Sequence, residues 1–517
     1  MINNFIFFKK KILNKQIEKI FFYLMWVGII VSINTNSSLL HFKKFKLFEI
    51  INFLRALSPL VIFSILFLYL LINIKNLNFF KNRSIYLNVI SICLLFYTLI
   101  SILGLSLNND QFFFDRIWWN ISYLNVIIYL YLGSYFFGDK FIKNVFLILL
   151  LFIFCFYLPI SFIAIIESIT LEIKNVYHSR LLAPDNFILD QGLPRTSGVA
   201  RALFFLFLLH LTFLCFKKNY FYINLFICSL YVFVISVFES RITTIFFLIS
   251  LLVIFYSELN FLKKIGTYLI LILIFSYSGK IYESILILQA HNNTDKYQDK
   301  KEFDNFFFKK NEKRINILFG GIGKKKSDKE KSDKKKSDKN NEEKLILDAT
   351  YNENNNIIFF QKKIICNEQG RINLISSGRL CIWVDNLNTA FKNYSVFLFG
   401  HGAQADRYNV KYSFKTQEHS ASNTFIYVLS SGGAISVIFV LVIYIILLIN
   451  FLKYFIFTKN KISNKSSILI SCLLMNSFIL FRGVTESSFA VFSLDYMLFL
   501  ISTFIIFSNK NTNIIKI

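Results

Sequence analysis

Proline is nearly missing from this chain. Four residues in 517 (Pro59, Pro159, Pro184 and Pro194) leave most of its apolar stretches free to run as unkinked helices. Cysteine is scarce as well, at seven, and no His, Cys, Asp or Glu grouping has metal-ligand spacing, so no metal site is expected. Cys93, Cys155, Cys215, Cys228 and Cys472 fall inside apolar runs and read as small packing residues. Cys366 and Cys381 lie together outside them, where a disulfide and two free thiols are both open readings. The first apolar stretch has no small-residue cleavage site, which makes it an uncleaved span and not a signal peptide. Arginine is the telling shortage: twelve against 45 lysines.

Hydrophobic residues are abundant, at 55% with 63 phenylalanines, and mean hydropathy is +0.53. They come in blocks long enough to cross a bilayer at about 20 residues each. We count about twelve: 20–36, 52–74, 86–107, 117–137, 142–166, 200–216, 220–238, 242–257, 263–279, 424–452, 466–482 and 488–508. The expected fold is an all-α polytopic membrane protein. It has nine spans in 1–279, a large loop over 280–423, and three spans in 424–517. Lysines before the first span (Lys9, Lys10, Lys11, Lys15 and Lys19) put the N-terminus in the cytoplasm and therefore the large loop outside. Lys43, Lys44 and Lys46 in the first outer loop run against that rule. The formal charge of +26 reflects a composition rich in Lys, Asn, Ile and Phe, and nucleic acid is not the partner it points to.

The large loop is uneven. Residues 321–345 are of low complexity, and KSDKEKSDKKKSDK (326–339) has no apolar residue to offset its ordering entropy, which predicts disorder. The adjoining GGIGKKKS (320–327) lacks the spacing of a phosphate loop. Beyond it, Leu380, Trp383, Val384, Leu387 and Phe391 recur at helical spacing, which predicts a helix lying on the membrane surface. Periodicity alone fits a plain interfacial helix as well as a catalytic one. Residues 376–433 also concentrate Arg379, Trp383, Asp385, His401, Asp406, Arg407, His419 and Asn423 just before an apolar run. A bilayer anchor needs none of them.

In the topology above, Arg83 alone of the arginines faces the cytoplasm. Arg195, Arg201, Arg241, Arg379, Arg407 and Arg482 all fall at outer span ends or in outer loops. Where lysine is the default cation, arginine persists where its planar fork is needed, as for phosphate. Snorkelling, or pairing with Glu239 and Glu486, is the bland alternative for any one of them.

Four segments resemble the O-antigen ligase and O-antigen polymerase superfamily of bacterial membrane glycosyltransferases. PRTSGVAR (194–201) resembles that family's R-x-S-G approach to a span, and ESR (239–241) its S-R turn. SSGRLCIWVDNL (376–387) followed by LFGHGAQADR (398–407) resembles its GR…W…G-x-G signature. HSASNTFIYVLSSGGAISVI (419–438) resembles its re-entry helix, although Ser422 stands where many ligases have a histidine before Asn423. That departure leans towards a polymerase or another divergent subgroup. The resemblance spans roughly 194–440.

The resemblance implies glycan transfer from a polyprenyl-diphosphate-linked donor to a hydroxyl of a glycan or lipid-linked glycan acceptor. The reaction would occur at the periplasmic face of a bacterial inner membrane, without cofactor. A flippase and a chain-length regulator would be its partners. Arg195, Arg241, Arg379 and Arg482, with Arg201 and Arg407 next, would stabilise the diphosphate. His419 would be the base, with Glu239 and Glu486 in reserve, and Trp383, Asp385 and Asn423 would shape the acceptor side. A lipid-linked oligosaccharide flippase is the rival. The sequence has no internal repeat of the transporter kind, and its ionisable residues gather on one face. A single cysteine introduced at Ser327 should react with an impermeant reagent from outside, whereas one at Lys459 should not; the reverse labelling would put the loop in the cytoplasm.

Overall fold

In hydrocarbon, a backbone N–H or C=O has no water to turn to, so apolar segments satisfy themselves as helices. The computed structural model describes residues 2–32, 47–73, 84–108, 113–170, 196–217, 220–238, 241–255, 257, 259–294, 349–352, 357–360, 379–410, 421, 423–457, 467–484 and 494–508. Each of the twelve apolar blocks overlaps a helix. The first four are α1 (Ile2–Ser32), α2 (Leu47–Asn73), α3 (Ile85–Leu107) and α4 (Phe113–Phe137). Next come α5 (Asp139–Phe152) and α6 (Leu158–Thr170), joined end to end by the π-turn Ile153–Tyr157. That wider turn sits just ahead of Pro159, whose ring blocks the ordinary hydrogen bond to Cys155. α7 (Thr196–Phe216), α8 (Phe221–Val237), α9 (Arg241–Phe255) and α10 (Phe261–Thr294) complete the N-terminal group.

Among the described residues, five stretches are long and apolar enough to cross a membrane: Ile85–Leu107, Asp139–Ile169, Thr196–Phe216, Phe261–Leu286 and Thr424–Lys453. Shorter apolar helices accompany them, among them Phe221–Val237, Ser467–Gly483 and Leu494–Phe507. The chain is thus built as a helical membrane protein.

Two features depart from the expected layout. The helix of the ninth block continues past 279 to Thr294, because Ile281, Ile285 and Leu286 extend its apolar pattern. The large loop also contains a two-stranded antiparallel ribbon, β1 (Ala349–Asn352) with β2 (Ile357–Phe360), pairing Ala349 with Phe360 and Asn352 with Ile357. The fold is therefore not purely α. The low-complexity stretch 321–345 lies outside the described residues.

Three short helices follow, α11 (Arg379–Ala390), α12 (Tyr394–Phe399) and α13 (Ala405–Tyr408), then α14 (Thr424–Phe457), α15 (Ser467–Gly483) and α16 (Leu494–Ser508). α14 is broken at Gly433, where φ is 67° and ψ −173°, a conformation open to glycine. A break leaves helix carbonyls without partners, and the segment after α12 supplies them. His401 N donates to Ser430 O at 2.9 Å and Gly402 N to Ser431 O at 2.9 Å. The backbones come so close that a Cβ on Gly433 would press into the Leu398 carbonyl, and one on Gly400 would lie 2.5 Å from Ser431 C.

Helix ends meet in two sets, as alternating directions require. At one end Tyr69 of α2 donates to Glu18 of α1, and Asn144 of α5 donates to Tyr23 at 2.9 Å. Burial raises the Glu18 carboxyl above its ordinary value, and Lys15 partly offsets this. At the other end lie the 395–410 segment, the start of α4 and the junctions around α7, α14, α15 and α16. Between them the core is aromatic. Phe478 of α15 packs edge-on against Phe204 and Phe205 of α7 and Phe246 of α9, at 4.8, 5.5 and 5.0 Å between centroids. Such pairs contribute about 0.5–1.5 kcal/mol each beyond the area they bury.

Gly104 of α3 isolates one of these contacts. Its backbone is helical and accepts alanine, but a Cβ would press into the Phe399 carbonyl. Gly104→Ala should therefore destabilise the purified protein by about 1–3 kcal/mol in thermal unfolding, against the roughly 1 kcal/mol gain expected in a free helix. A stabilised variant would show that the 399–402 segment does not sit on α3.

Candidate active site at one end of the bundle

Arginine, aspartate and broken backbone converge at the second end in two adjoining clusters. The first is an ion triad. Arg201 lies in the second turn of α7, Arg482 in the last turn of α15, and Asp495 in the first turn of α16. The Asp495 Oδ2 atom accepts from Arg201 Nη1 at 2.8 Å and also from Arg482 Nη1. Arg201 further donates through Nε to Ser197 O at 3.2 Å, within its own helix. Arg482 and Asp495 are about as buried as the apolar core, with side chains 4% and 5% exposed, while Arg201 keeps 19%.

Two cations sharing one oxygen repel by roughly 3 kcal/mol at about 5 Å and an effective dielectric near 20, which the shared carboxylate outweighs. Desolvating three ions costs several kcal/mol apiece, so apolar residues would hold these helices together at least as well.

The second cluster fixes the 395–410 segment. Arg116, in the first turn of α4 and fully buried, donates to His401 O at 2.7 Å and to Asn409 Oδ1. Asn108, just past α3, donates to Gly400 O at 2.7 Å and accepts from Ser395 Oγ at 3.1 Å. The buried Asp406 accepts from Ala421 N at 2.8 Å. Beneath these bonds lie four buried tyrosines from four helices. Tyr97 meets Tyr123 edge-on at 5.7 Å, Tyr123 meets Tyr496 at 4.7 Å, and the Tyr97 hydroxyl is 3.0 Å from Ser431 Oγ. Tyr427 of α14 is buried among them.

The residues expected to form the site divide sharply. Arg201 and Arg482 come together. Arg379 opens α11 and is half-buried. Arg241 begins α9 and Arg407 lies in α13, and only their backbones are described. Arg195, Glu239, His419 and Glu486 lie outside the described residues.

α11 corrects the expected stripe. Its buried face is Cys381, Ile382, Val384, Asp385, Asn386 and Ala390, whereas Leu380, Trp383 and Leu387 are only half-buried. Polar bonding turns the helix this way: Ser430 donates to Asn386 Oδ1 at 3.1 Å, which holds α11 against α14. Cys381 on the same face is disulfide-bonded, while the five cysteines in the apolar blocks are free thiols. Asp385 is thus buried on the face of α11 that packs into the protein.

Asn423 caps a helix. Its Oδ1 accepts from Phe425 N at 2.8 Å and Ile426 N at 3.1 Å, capping α14, while its Nδ2 donates to Val484 O at 2.6 Å, two residues past Arg482. It joins the start of α14 to the end of α15.

Sequence reasoning missed Asp495, although a signal was present. It is the one acid in the last apolar block, and an ionisable residue inside such a block points to function by itself. Arg116 carried the same signal as the other outer-side arginines, but its partners, 285 and 293 residues away, were not legible. Among the described residues, no group of three or more His, Cys, Asp or Glu could hold a metal. Comparison of the chain with family models, with curated proteins and with solved structures gave no match.

Asn423→Ala should cost about 1–2 kcal/mol in thermal unfolding through the lost cap and the lost bond to Val484. Asn423→Asp, which still caps, should cost less than half as much. Equal stability of both variants with the parent would return Asn423 to a substrate-facing role.

Proposed function

We propose that this protein is a membrane glycosyltransferase of the O-antigen polymerase or ligase kind. It moves a glycan from a polyprenyl-diphosphate carrier to a hydroxyl of an acceptor glycan on the outer face of the membrane. The observation that carries the reading is the meeting of Arg201 and Arg482 on Asp495 at the bundle end where the 395–410 segment docks. Transfer from such a carrier leaves negative charge on a diphosphate oxygen as the glycosidic bond breaks. Arginines already aimed at that position stabilise the charge without reorganising. In this reading Arg379, Arg241, Arg195 and Arg407 assist in binding the diphosphate, and His419 takes the proton of the attacking hydroxyl. Donor tail and diphosphate divide between bilayer and water, which suits a site at the end of apolar helices.

The same reading includes the finer topology: twelve spans, an N-terminus in the cytoplasm, and residues 280–423 outside. Oxidation of Cys381 supports that side assignment, since disulfides persist in oxidising compartments. The polymerase form is preferred to the ligase form because of the spacing between His419 and Asn423.

One observation favours the transporter reading. Discontinuous helices such as α14 often carry substrate in transporters, through the carbonyls and amides that the break exposes. In this chain those carbonyls are taken, by His401 N and Gly402 N, and the backbones there are too close to admit a ligand. The break serves docking of the 395–410 segment, which favours the enzyme reading.

The test uses purified protein with a lipid-linked donor, following bound donor and glycan length. Arg379→Lys keeps the charge without the fork and should cut transfer at least about tenfold. His419→Ala should lose on the order of a hundred- to ten-thousand-fold in turnover while donor binding survives. Normal turnover in both would leave this reading without a site.

A further inference from the structure

The ion triad contains an acid that the reaction above does not use. Asp495 spends one oxygen, Oδ2, on both guanidinium groups, and its other oxygen takes no partner among the described residues. Arg201 belongs to α7 and Arg482 to α15, helices that meet through Phe204 and Phe478 well inside the bundle. Nothing in that aromatic contact sets where the two guanidinium groups stand. Two cations at this distance repel one another. A single carboxylate oxygen bonded to both holds them together against that repulsion, and the first turn of α16 carries the carboxylate.

Resting on the proposed function, we infer that Asp495 is a positioning residue. It holds Arg201 and Arg482 at the separation needed to receive a diphosphate. The opposite role is a plain competitor, an internal anion occupying a site meant for phosphate. The two roles differ in sign. A competitor's removal frees two cations and tightens anion binding; removal of a positioning group lets the guanidinium groups part and weakens it. The single shared oxygen favours positioning. An occupant standing in for phosphate would present both oxygens to the arginines in the forked geometry that arginine prefers, and Asp495 presents one.

The experiment measures binding of inorganic pyrophosphate to the full-length protein in detergent at fixed ionic strength, beside thermal unfolding. Asp495→Asn keeps the shape, removes the charge, and should weaken pyrophosphate binding about tenfold or more, which equals about 1.4 kcal/mol. Asp495→Glu keeps the charge but displaces the oxygen by one methylene, and should weaken it about threefold with the fold intact. In an Arg201→Gln background, Asp495→Asn should add less than twofold, because there is no longer a pair to space.

Unchanged or tighter binding in Asp495→Asn overturns the inference. So does parental affinity in Asp495→Glu, whatever becomes of the asparagine variant. The proposed function fails separately, if Arg201→Gln and Arg482→Gln both bind pyrophosphate like the parent. A loss in those two with none in Asp495→Asn removes the positioning role alone.

Discussion

The end of the bundle that holds the 395–410 segment depends on two carbonyl groups. When α14 breaks at Gly433, Ser430 and Ser431 are left with acceptors that the helix no longer satisfies, and a buried unpaired carbonyl is costly. The amides of His401 and Gly402 answer them. From that docking follow the others: Arg116 and Asn108 hold the same segment to α4 and α3, and Asp406 ties its far side to Ala421. The close approach requires glycine at 400 and 433, since side chains there would meet backbone. A helix defect has become the seat of a loop.

Beside that seat, three helix termini bring charge together. Asn423 couples the start of α14 to Val484, which follows Arg482, and Arg482 reaches Asp495, which also holds Arg201. The loop and the ion triad are thus joined through two residues of α15's end. This link gives a physical route by which movement of the 395–410 segment would alter the guanidinium pair. It also explains why residues as far apart as 116, 201, 409 and 495 serve one end of the bundle. Function of the kind proposed needs cations fixed before substrate arrives, and buried bonds of this sort fix them.

Much of the architecture was legible from hydropathy, and the candidate site was legible in part. Every apolar block overlaps a helix because backbone satisfaction in an apolar setting leaves little alternative. The arginine pattern led to Arg201 and Arg482, since arginine stands out in a lysine-rich chain. The stripe on α11 misled. Leu380, Trp383 and Leu387 marked a helix correctly, but Asn386 and Cys381 decided which face turns inward, through one hydrogen bond and one disulfide. Periodicity weighs apolar residues and is blind to a polar face drawn inside by bonding.

What the sequence determined by itself is therefore local: helices where apolar runs exceed a few turns, and a segregation of arginine from lysine. Each follows from short-range sterics or from solvation of the nearest side chains. Pairing was decided only by the tertiary structure. Asp495 lies 294 positions from one arginine it joins and 13 from the other. Arg116 reaches 285 residues to His401. Asn423 caps its own helix locally, but its second bond, to Val484, spans 61 positions and was set by packing. Hydrogen bonds and ion pairs act over about 3 Å, and only the packing of the helices sets which groups come within that reach.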